Sequence, residues 1–288
     1  MSQAVTSERT GREGFGTRLR AAIDAYGPLC VGIDPHEALL RAWGLDASAA
    51  GVQEFGLRTV EASRGVVGVV KPQVAFFERY GSAGFAALEE VMAAARAAGL
   101  IVIADAKRGD IGTTMDGYAA AWLVPGAPLE CDAVTLSPYL GVDALHSALS
   151  TAVQHDKGAF VLAATSNPEA SDLQRARIDG DGESVAERVA HEVAARNIGA
   201  PGSLGPVGLV VGATVDRRSY GLSDIVLAGT PILAPGFGAQ GAEPGDLGRL
   251  FGYVASQVVA SESRSVLSAG PGALAARIAE RAALYRAG

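Results

Sequence analysis

The 288-residue chain lacks several features that identify whole classes of protein. No apolar run approaches the roughly 20 residues that a membrane-spanning helix needs, and residues 1–12 lack the apolar core of a signal peptide. Basic residues are too few to outweigh the acidic ones, 24 against 31, and the net charge is −7. We therefore predict a cytoplasmic protein with neither a nucleic acid nor a membrane as its partner.

Cysteine and histidine are also scarce, and neither residue type forms a metal-binding pattern. The two cysteines, Cys30 and Cys131, lie beside apolar runs and predict buried free thiols. The four histidines show none of the spacings of metal ligands, and we assign them no metal: His36, His146, His155 and His191.

Lysine is the rarest of the charged residues, since only three of the 24 basic residues are lysines. Lys71 and Lys107 each follow an apolar, strand-like run, whereas Lys157 is expected to end a helix at the surface. Arginine supplies positive charge nearly everywhere else. A lysine at the end of a buried strand therefore indicates a need for an ammonium group that exchanges its proton.

Eight short apolar runs, mostly separated by helix-like segments, predict the fold. Alternation of this kind is typical of right-handed βαβ units and a parallel sheet, and eight units without a linker favour a closed barrel. We predict a single (β/α)8 TIM barrel over residues 1–288, with an N-terminal helix at about 15–26 packed on it. The runs are 29–33, 66–70, 100–103, 133–136, 159–162, 207–211, 231–234 and 256–260; further helices are predicted at 82–98, 183–196 and 271–287.

The third run ends in the pattern Asp105-x-Lys107-x-x-Asp110. Three formal charges within six residues of a buried strand are costly to desolvate unless they pair, bind a metal or take part in chemistry. We interpret this pattern as part of an active site, with a structural ion pair as the alternative.

Other polar residues follow the predicted strands, and in a barrel the carboxyl ends of the strands meet at one rim. Some have structural alternatives: Asp34 as a helix cap near His36, and Arg264 in a surface ion pair with Glu262. Ser137 and Asn167 each precede a proline, as turn residues often do. The full set is Asp34, Lys71, Ser137, Thr165, Ser166, Asn167, Thr214, Gly236, Gly238, Gln240, Glu262 and Arg264.

The ends of the last two strands predict the substrate class. A glycine-rich loop at 235–245 follows the seventh strand, and Arg264 follows the eighth. Barrels often bind a phosphate between these two loops, so a phosphorylated small molecule is the expected substrate. The polar, acidic segment 167–183 is a candidate lid.

These motifs together resemble the orotidine 5′-phosphate decarboxylase family, in its longer bacterial branch. The resemblance is carried by Gly32-Ile-Asp-Pro-His36, Lys71-Pro-Gln-Val-Ala-Phe-Phe77, Ala104-Asp-Ala-Lys-Arg-Gly-Asp-Ile-Gly112, Ser137-Pro-Tyr-Leu-Gly141, Ala164-Thr-Ser-Asn-Pro168 and Pro235-Gly-Phe-Gly-Ala-Gln240. It implies a homodimeric barrel that converts orotidine 5′-monophosphate to UMP and CO₂ in pyrimidine synthesis, without metal or cofactor.

The resemblance also implies a role for each matching residue. Lys71, Asp105, Lys107 and Asp110 match an alternating charge network, in which Asp110 reaches the neighbouring subunit's site and Lys107 protonates C6. The matches for substrate binding are Asp34 and Thr114 for the ribose hydroxyls, Ser166 for the pyrimidine, Gln240 for the link between base and phosphate, and Arg264 for the phosphate itself. Around Arg264 the sequence Ser261-Glu-Ser-Arg-Ser265 departs from the commoner Gly-Arg form. Gly238, in the glycine-rich loop after the seventh strand, is a further substrate-binding candidate.

Three other functions remain open. A Mg²⁺-dependent sugar-phosphate decarboxylase or aldolase shares the Asp-x-Lys-x-x-Asp pattern, but it needs a carboxylate near the end of the second strand, where this chain has Lys71. A Schiff-base aldolase needs Lys107 as a neutral nucleophile, which two flanking acids oppose. A non-catalytic phosphosugar-binding barrel would not need the charge network.

Overall fold

The computed structural model describes residues 13–180, 182–199 and 204–287, and within them all eight predicted strands are present. Each strand is parallel to its neighbours in the order β1 to β8, and β1 pairs with β8 to close the barrel. The predicted (β/α)8 barrel is therefore confirmed. The strands are β1 (Leu29–Ile33), β2 (Val69–Pro72), β3 (Ile101–Arg108), β4 (Ala133–Leu136), β5 (Gly158–Ala164), β6 (Val207–Val211), β7 (Ile232–Pro235) and β8 (Val258–Glu262).

Helices fill the connections between the strands, as the alternating pattern predicts. The helix predicted at 183–196 begins two residues later, because Ser184 caps it and forms a capping box with Glu187. The helices are α1 (Phe15–Tyr26), α2 (Glu37–Ala42), α3 (Ala49–Ser63), α4 (Val74–Glu78), α5 (Gly81–Ala97), α6 (Gly112–Leu123), α7 (His146–Gln154), α8 (Ser171–Arg175), α9 (Val185–Arg196), α10 (Asp224–Leu227), α11 (Leu247–Phe251), α12 (Arg264–Leu267) and α13 (Leu274–Ala287).

The apolar residues divide into two cores because both faces of the strands are buried. The larger core lies between the sheet and the surrounding helices, and includes Phe55, Phe77 and Trp43. A smaller core fills the barrel interior, with Phe160 among its members. Alternate residues of each strand therefore face opposite cores, which fixes the strand register.

Helix α1 lies across the N-terminal ends of the strands. Its first residue, Phe15, packs edge-to-face on Phe160, with the ring centroids 6.1 Å apart. Gly158 at the start of β5 makes room for this ring, since a Cβ there would lie 2.4 Å from Phe15. The barrel interior is thus closed by α1 at this end, which leaves the carboxyl ends of the strands for a site.

The expectation for Lys157 is wrong. This residue directly precedes β5 and is only 1% exposed, and its Nζ donates to Glu130 Oε1 at 2.7 Å. Glu130 lies just before β4, next to β5, so the buried ammonium has a carboxylate partner that the linear sequence does not reveal. A lysine before a buried strand is stable only with such a partner.

The candidate lid, 167–183, contains a short 3₁₀ turn (Pro168–Ala170) and helix α8. Its residue 181 lies outside the described residues, as do residues 1–12, 200–203 and 288 of the predicted domain. Cys30 and Cys131 are both buried free thiols, as predicted. Within the described ranges, no helix combines the length and the apolar character that crossing a membrane requires.

Candidate active site

A cavity of about 430 Å³ opens at the carboxyl ends of the strands, the expected position for a barrel active site. Strands β1, β2 and β3 line one side, and the segments after β5, β7 and β8 line the other. Its floor is apolar and is formed by Leu162, Val210 and Leu233. Seven of the ten predicted site residues line this cavity: Asp34, Lys71, Asp105, Lys107, Ser166, Gln240 and Arg264.

Asp105 is the centre of the charged side. Its Oδ2 accepts hydrogen bonds from Lys71 Nζ at 2.9 Å and Gln73 Nε2 at 3.0 Å. Its Oδ1 accepts from Lys107 Nζ at 2.6 Å and from the Thr135 hydroxyl at 3.0 Å. Each carboxylate oxygen therefore has one cationic and one neutral donor, a charge-assisted arrangement that fixes the plane of the carboxylate.

Burial and charge act in opposite directions on this cluster. Burial alone would raise the pKa of the Asp105 carboxyl, but the ammonium groups of Lys71 and Lys107 outweigh it and hold that pKa well below its usual range. Burial likewise opposes the charge on Lys71, yet the carboxylates of Asp105 and Asp34 raise its pKa above the ordinary value. Both groups are therefore charged at neutral pH, and they form a buried ion pair.

Lys107 differs from Lys71 in exposure and in backbone conformation. Its side chain is 46% exposed, against 7% for Lys71, so its ammonium group can meet a bound molecule. Its φ of 48° lies in the left-handed region, which few residues other than glycine adopt. Strained backbone of this kind clusters at functional sites, where surrounding contacts hold it.

Asp34 does not cap the following helix. The N-cap of α2 is His36, and Asp34 Oδ1 is buried without a hydrogen-bond partner among the described residues. Ser263 Oγ is a second such atom, and both residues line the cavity. Buried polar atoms without partners are costly, so these two oxygens are available to hydrogen-bond a polar ligand or water in the cavity.

The opposite wall is built from the loops after β5 and β7. Ser166 Oγ donates to Gln240 Oε1 at 3.1 Å, which joins the two loops across the cavity. Gln174 of α8 accepts from the Thr165 backbone N–H at 2.9 Å and ties the candidate lid to the end of β5. Ser166 and Gln240, the side chains predicted to contact the base and the phosphate, are thus hydrogen-bonded to each other on this wall.

The alternative reading of Arg264, a surface ion pair with Glu262, does not hold. Glu262 is fully buried and accepts from Arg281 Nη2 at 2.8 Å and the Tyr285 hydroxyl at 2.8 Å, both on α13. Arg264 lines the cavity, and its guanidinium has no hydrogen bond or ion pair within the part of the chain that the structure describes. An exposed guanidinium in this position is available to an anion.

Three predicted site residues do not line the cavity of this chain. Asp110 is half-buried, and its Oδ1 accepts from the neighbouring Ile111 N–H at 2.8 Å, while Thr114 is exposed on α6. Gly238 belongs to the loop after β7 and has a φ of 69°. It packs against Ser265, since a Cβ at this position would lie 2.5 Å from the Ser265 Cβ.

Two residues of the charged side were not singled out from the sequence. Gln73 lies two residues after Lys71, and Thr135 is the one polar residue in its apolar run. The sequence signal for both is the alternation of side chains along a strand, because every second residue faces the same side of the sheet. Among the described residues, no group of three or more His, Cys, Asp and Glu side chains is arranged to hold a metal ion.

Comparison with known proteins connects this geometry with a family. The model of the family described as "Orotidine 5'-phosphate decarboxylase / HUMPS family" matches residues 27–278. Orotidine 5′-phosphate decarboxylases from Streptomyces coelicolor and Salinispora arenicola are 52% and 51% identical, each over 93% of this chain and 94% of the relative.

Solved structures agree with this relationship. A crystal structure of a Streptomyces avermitilis protein, to which the same activity is ascribed, is 48% identical, with a TM-score of 0.91 over 99% of both chains. Leishmania donovani OMP decarboxylase is 32% identical, with a TM-score of 0.75, over 96% of this chain and 99% of that one. The chain belongs to the orotidine 5′-phosphate decarboxylase / HUMPS family.

Proposed function

We propose that this protein decarboxylates orotidine 5′-monophosphate to UMP and CO₂, the last step of pyrimidine synthesis, without metal or cofactor. The observation that carries the proposal is the Lys71–Asp105–Lys107 network at the cavity rim. An ammonium group held beside a fixed carboxylate suits a reaction that removes a carboxylate and then needs a proton.

The reaction breaks the bond between C6 of the pyrimidine and its carboxylate, and the electron pair stays on C6. This carbanion has no obvious electron sink, so the enzyme must supply on the order of 20 kcal/mol of transition-state stabilisation. The Lys107 ammonium stabilises the carbanion electrostatically and then transfers a proton from Nζ to C6. Solvent restores the proton on the neutral amine.

Asp105 has two roles in this proposal. Its Oδ1 holds the Lys107 ammonium at 2.6 Å, which keeps the proton donor in place. Its negative charge also faces the substrate carboxylate, and loss of CO₂ relieves that repulsion. Lys71 stays buried and charged, and it anchors the other carboxylate oxygen at 2.9 Å.

The other side of the cavity binds the nucleotide. Arg264 and Gln240, with the loop that contains Gly238, hold the phosphate, and Ser166 contacts the pyrimidine. The unpartnered Oδ1 of Asp34 accepts from a ribose hydroxyl. Binding energy from the phosphate, remote from C6, supports closure of the loops over the base.

We also propose a homodimer with shared active sites. Asp110 and Thr114 lie outside the cavity of their own chain, which supports their action in the partner's site. Residues 1–288 act as one domain in this proposal. A cytoplasmic location accords with two buried thiols that remain unpaired.

Loss of orotidine 5′-monophosphate, followed by its ultraviolet absorbance, tests the activity with purified protein. Lys107→Ala should reduce turnover by more than about 1,000-fold, since the variant loses the proton donor and its charge. Arg108→Ala is the matched control: it removes a neighbouring cation that pairs with Glu78 and does not line the cavity. Appreciable turnover by Lys107→Ala would falsify the assigned role.

The Mg²⁺-dependent sugar-phosphate reaction is the second candidate, because it shares the Asp-x-Lys-x-x-Asp pattern. At the end of β2, where its metal site needs a carboxylate, the structure has the buried ammonium of Lys71. Turnover of orotidine 5′-monophosphate should be unchanged in EDTA. A metal requirement for turnover would favour the second candidate.

A further inference from the structure

Strand β3 bulges beside β4 at the catalytic segment. Ala104 pairs with Val134, but the next paired residues are Arg108 and Leu136. Between these pairs β3 has three residues and β4 has only one, Thr135. The extra length leaves backbone groups of β3 without ladder partners on β4, and bulges of this kind redirect side chains next to active sites.

Thr135 fills the gap with its side chain. Its Oγ1 accepts from the Lys107 backbone N–H at 2.9 Å, so the hydroxyl replaces the missing ladder partner. The same oxygen donates to Asp105 Oδ1 at 3.0 Å. Thr135 is 1% exposed, and the two hydrogen bonds of its buried hydroxyl join the backbone of Lys107 to the carboxylate of Asp105.

The direction of these bonds follows from the charges. Asp105 is ionised and can only accept, so the single hydroxyl proton of Thr135 is committed to it. The Lys107 N–H can only donate, so it uses a lone pair of the same oxygen. Thr135 has no proton left to donate to a substrate, and it acts through Asp105 and Lys107.

We infer that Thr135 is the positioning residue that holds Lys107 in its left-handed backbone conformation and aims its ammonium group. At a φ of 48° the Lys107 backbone is strained, and contacts from outside β3 must maintain it. Thr135 supplies such a contact from a neighbouring strand. The inference rests on the proposed decarboxylation, in which Lys107 protonates C6.

Three variants separate positioning from general stability. Thr135→Val removes the hydroxyl and keeps the shape, whereas Thr135→Ser keeps the hydroxyl. Thr59→Val makes the same change at a fully buried threonine of α3, whose hydroxyl donates to Phe55 O at 2.8 Å, away from the cavity. Turnover number and KM for orotidine 5′-monophosphate are measured for each, with thermal unfolding as the check on folding.

We expect Thr135→Val to lower kcat by about 10- to 100-fold, because small misplacements of a catalytic group have effects of this size. KM should change by less than about 3-fold, since the binding groups are intact. Thr135→Ser should recover most of kcat, and Thr59→Val should keep it. Equal kcat for the two valine variants, or equal loss in Thr135→Val and Thr135→Ser, would overturn the inference.

A measurement on the wild-type protein covers the case in which Thr135→Val does not fold. The Lys107 amide should exchange its hydrogen at least about 100-fold more slowly than an unstructured peptide, because Thr135 accepts from it. Fast exchange would overturn the inference. If the wild-type protein does not turn over orotidine 5′-monophosphate, the proposed function fails instead, and slow exchange still tests the contact.

Discussion

Replacement of Arg281 by methionine should destabilise the barrel strongly, because it leaves the buried carboxylate of Glu262 without its cationic partner. Glu262 is fully buried at the end of β8, and Arg281 is its cationic partner, with Nε at 2.9 Å and Nη2 at 2.8 Å. Methionine fills much of the same volume but leaves an uncompensated carboxylate. Removing one partner of a buried ion pair costs about 3–5 kcal/mol.

Thermal unfolding measures this cost. At roughly 2–3 °C for each kcal/mol in a chain of this size, Arg281→Met should lower Tm by roughly 6–15 °C. Arg277→Met is the matched control on the same helix, because Arg277 pairs with Glu280 at 3.5 Å and both side chains are exposed. An exposed pair contributes about 0–1 kcal/mol, so this control should melt close to the wild type.

A double variant tests the mechanism of the loss. Glu262→Gln combined with Arg281→Met removes both charges, and the side-chain amide introduced by Glu262→Gln still has the Tyr285 hydroxyl as a donor. The double variant should therefore be more stable than Arg281→Met alone, with a coupling energy of about 1–3 kcal/mol. The reasoning is refuted if Arg281→Met and Arg277→Met have the same Tm, or if adding Glu262→Gln to Arg281→Met lowers the Tm further.

Two other predictions concern the charge network and the dimer. The folded-state pKa of Asp105 is depressed, so its stabilising contribution is complete above the unfolded pKa of about 3.9 and is lost as pH falls below it. In urea unfolding, the free energy of unfolding of Asp105→Asn should therefore be lower than that of the wild type by a constant amount above about pH 5. This difference should narrow as the pH falls further, and a difference that does not narrow in acid would contradict the depressed pKa. Equimolar mixing of inactive Lys107→Ala and Asp110→Ala proteins should restore about a quarter of wild-type activity, since half of the dimers would be mixed and each mixed dimer would have one intact site. Absence of recovery after subunit exchange has been demonstrated would count against shared sites.

The sequence predicted the barrel well because the strands are buried on both faces over most of their length, so that each contains a short apolar run. Strand ends were predicted less well: β2 begins at Val69 rather than at residue 66, and β3 continues to Arg108 through its charged residues. An apolar run shows what is buried, whereas strand ends depend on pairing with neighbours. The polar end of β3 remains in the sheet because it pairs through the bulge with β4.

Individual site residues were predictable where strand ends converge, and unpredictable where a partner comes from a distant element. Asp34, Lys71 and Lys107 meet at one rim because parallel strands place their carboxyl ends together. The partners of Glu262 and Lys157 were not predicted. Glu262 pairs with Arg281 on α13, and Lys157 pairs with Glu130 just before β4, so each partner lies on a different element. Periodicity within one element contains no information on such contacts.

Closure of the barrel between β1 and β8 has a consequence for synthesis of the chain. Leu29 of β1 pairs with Ala260 of β8. The hydrogen bonds of β1, the first strand to leave the ribosome, are therefore complete only after β8, the last strand, has been synthesised. Until then both edges of the growing sheet are open to other chains. We expect nascent chains that end before β8 to depend on chaperones, and we expect release from them once residues 258–262 have emerged.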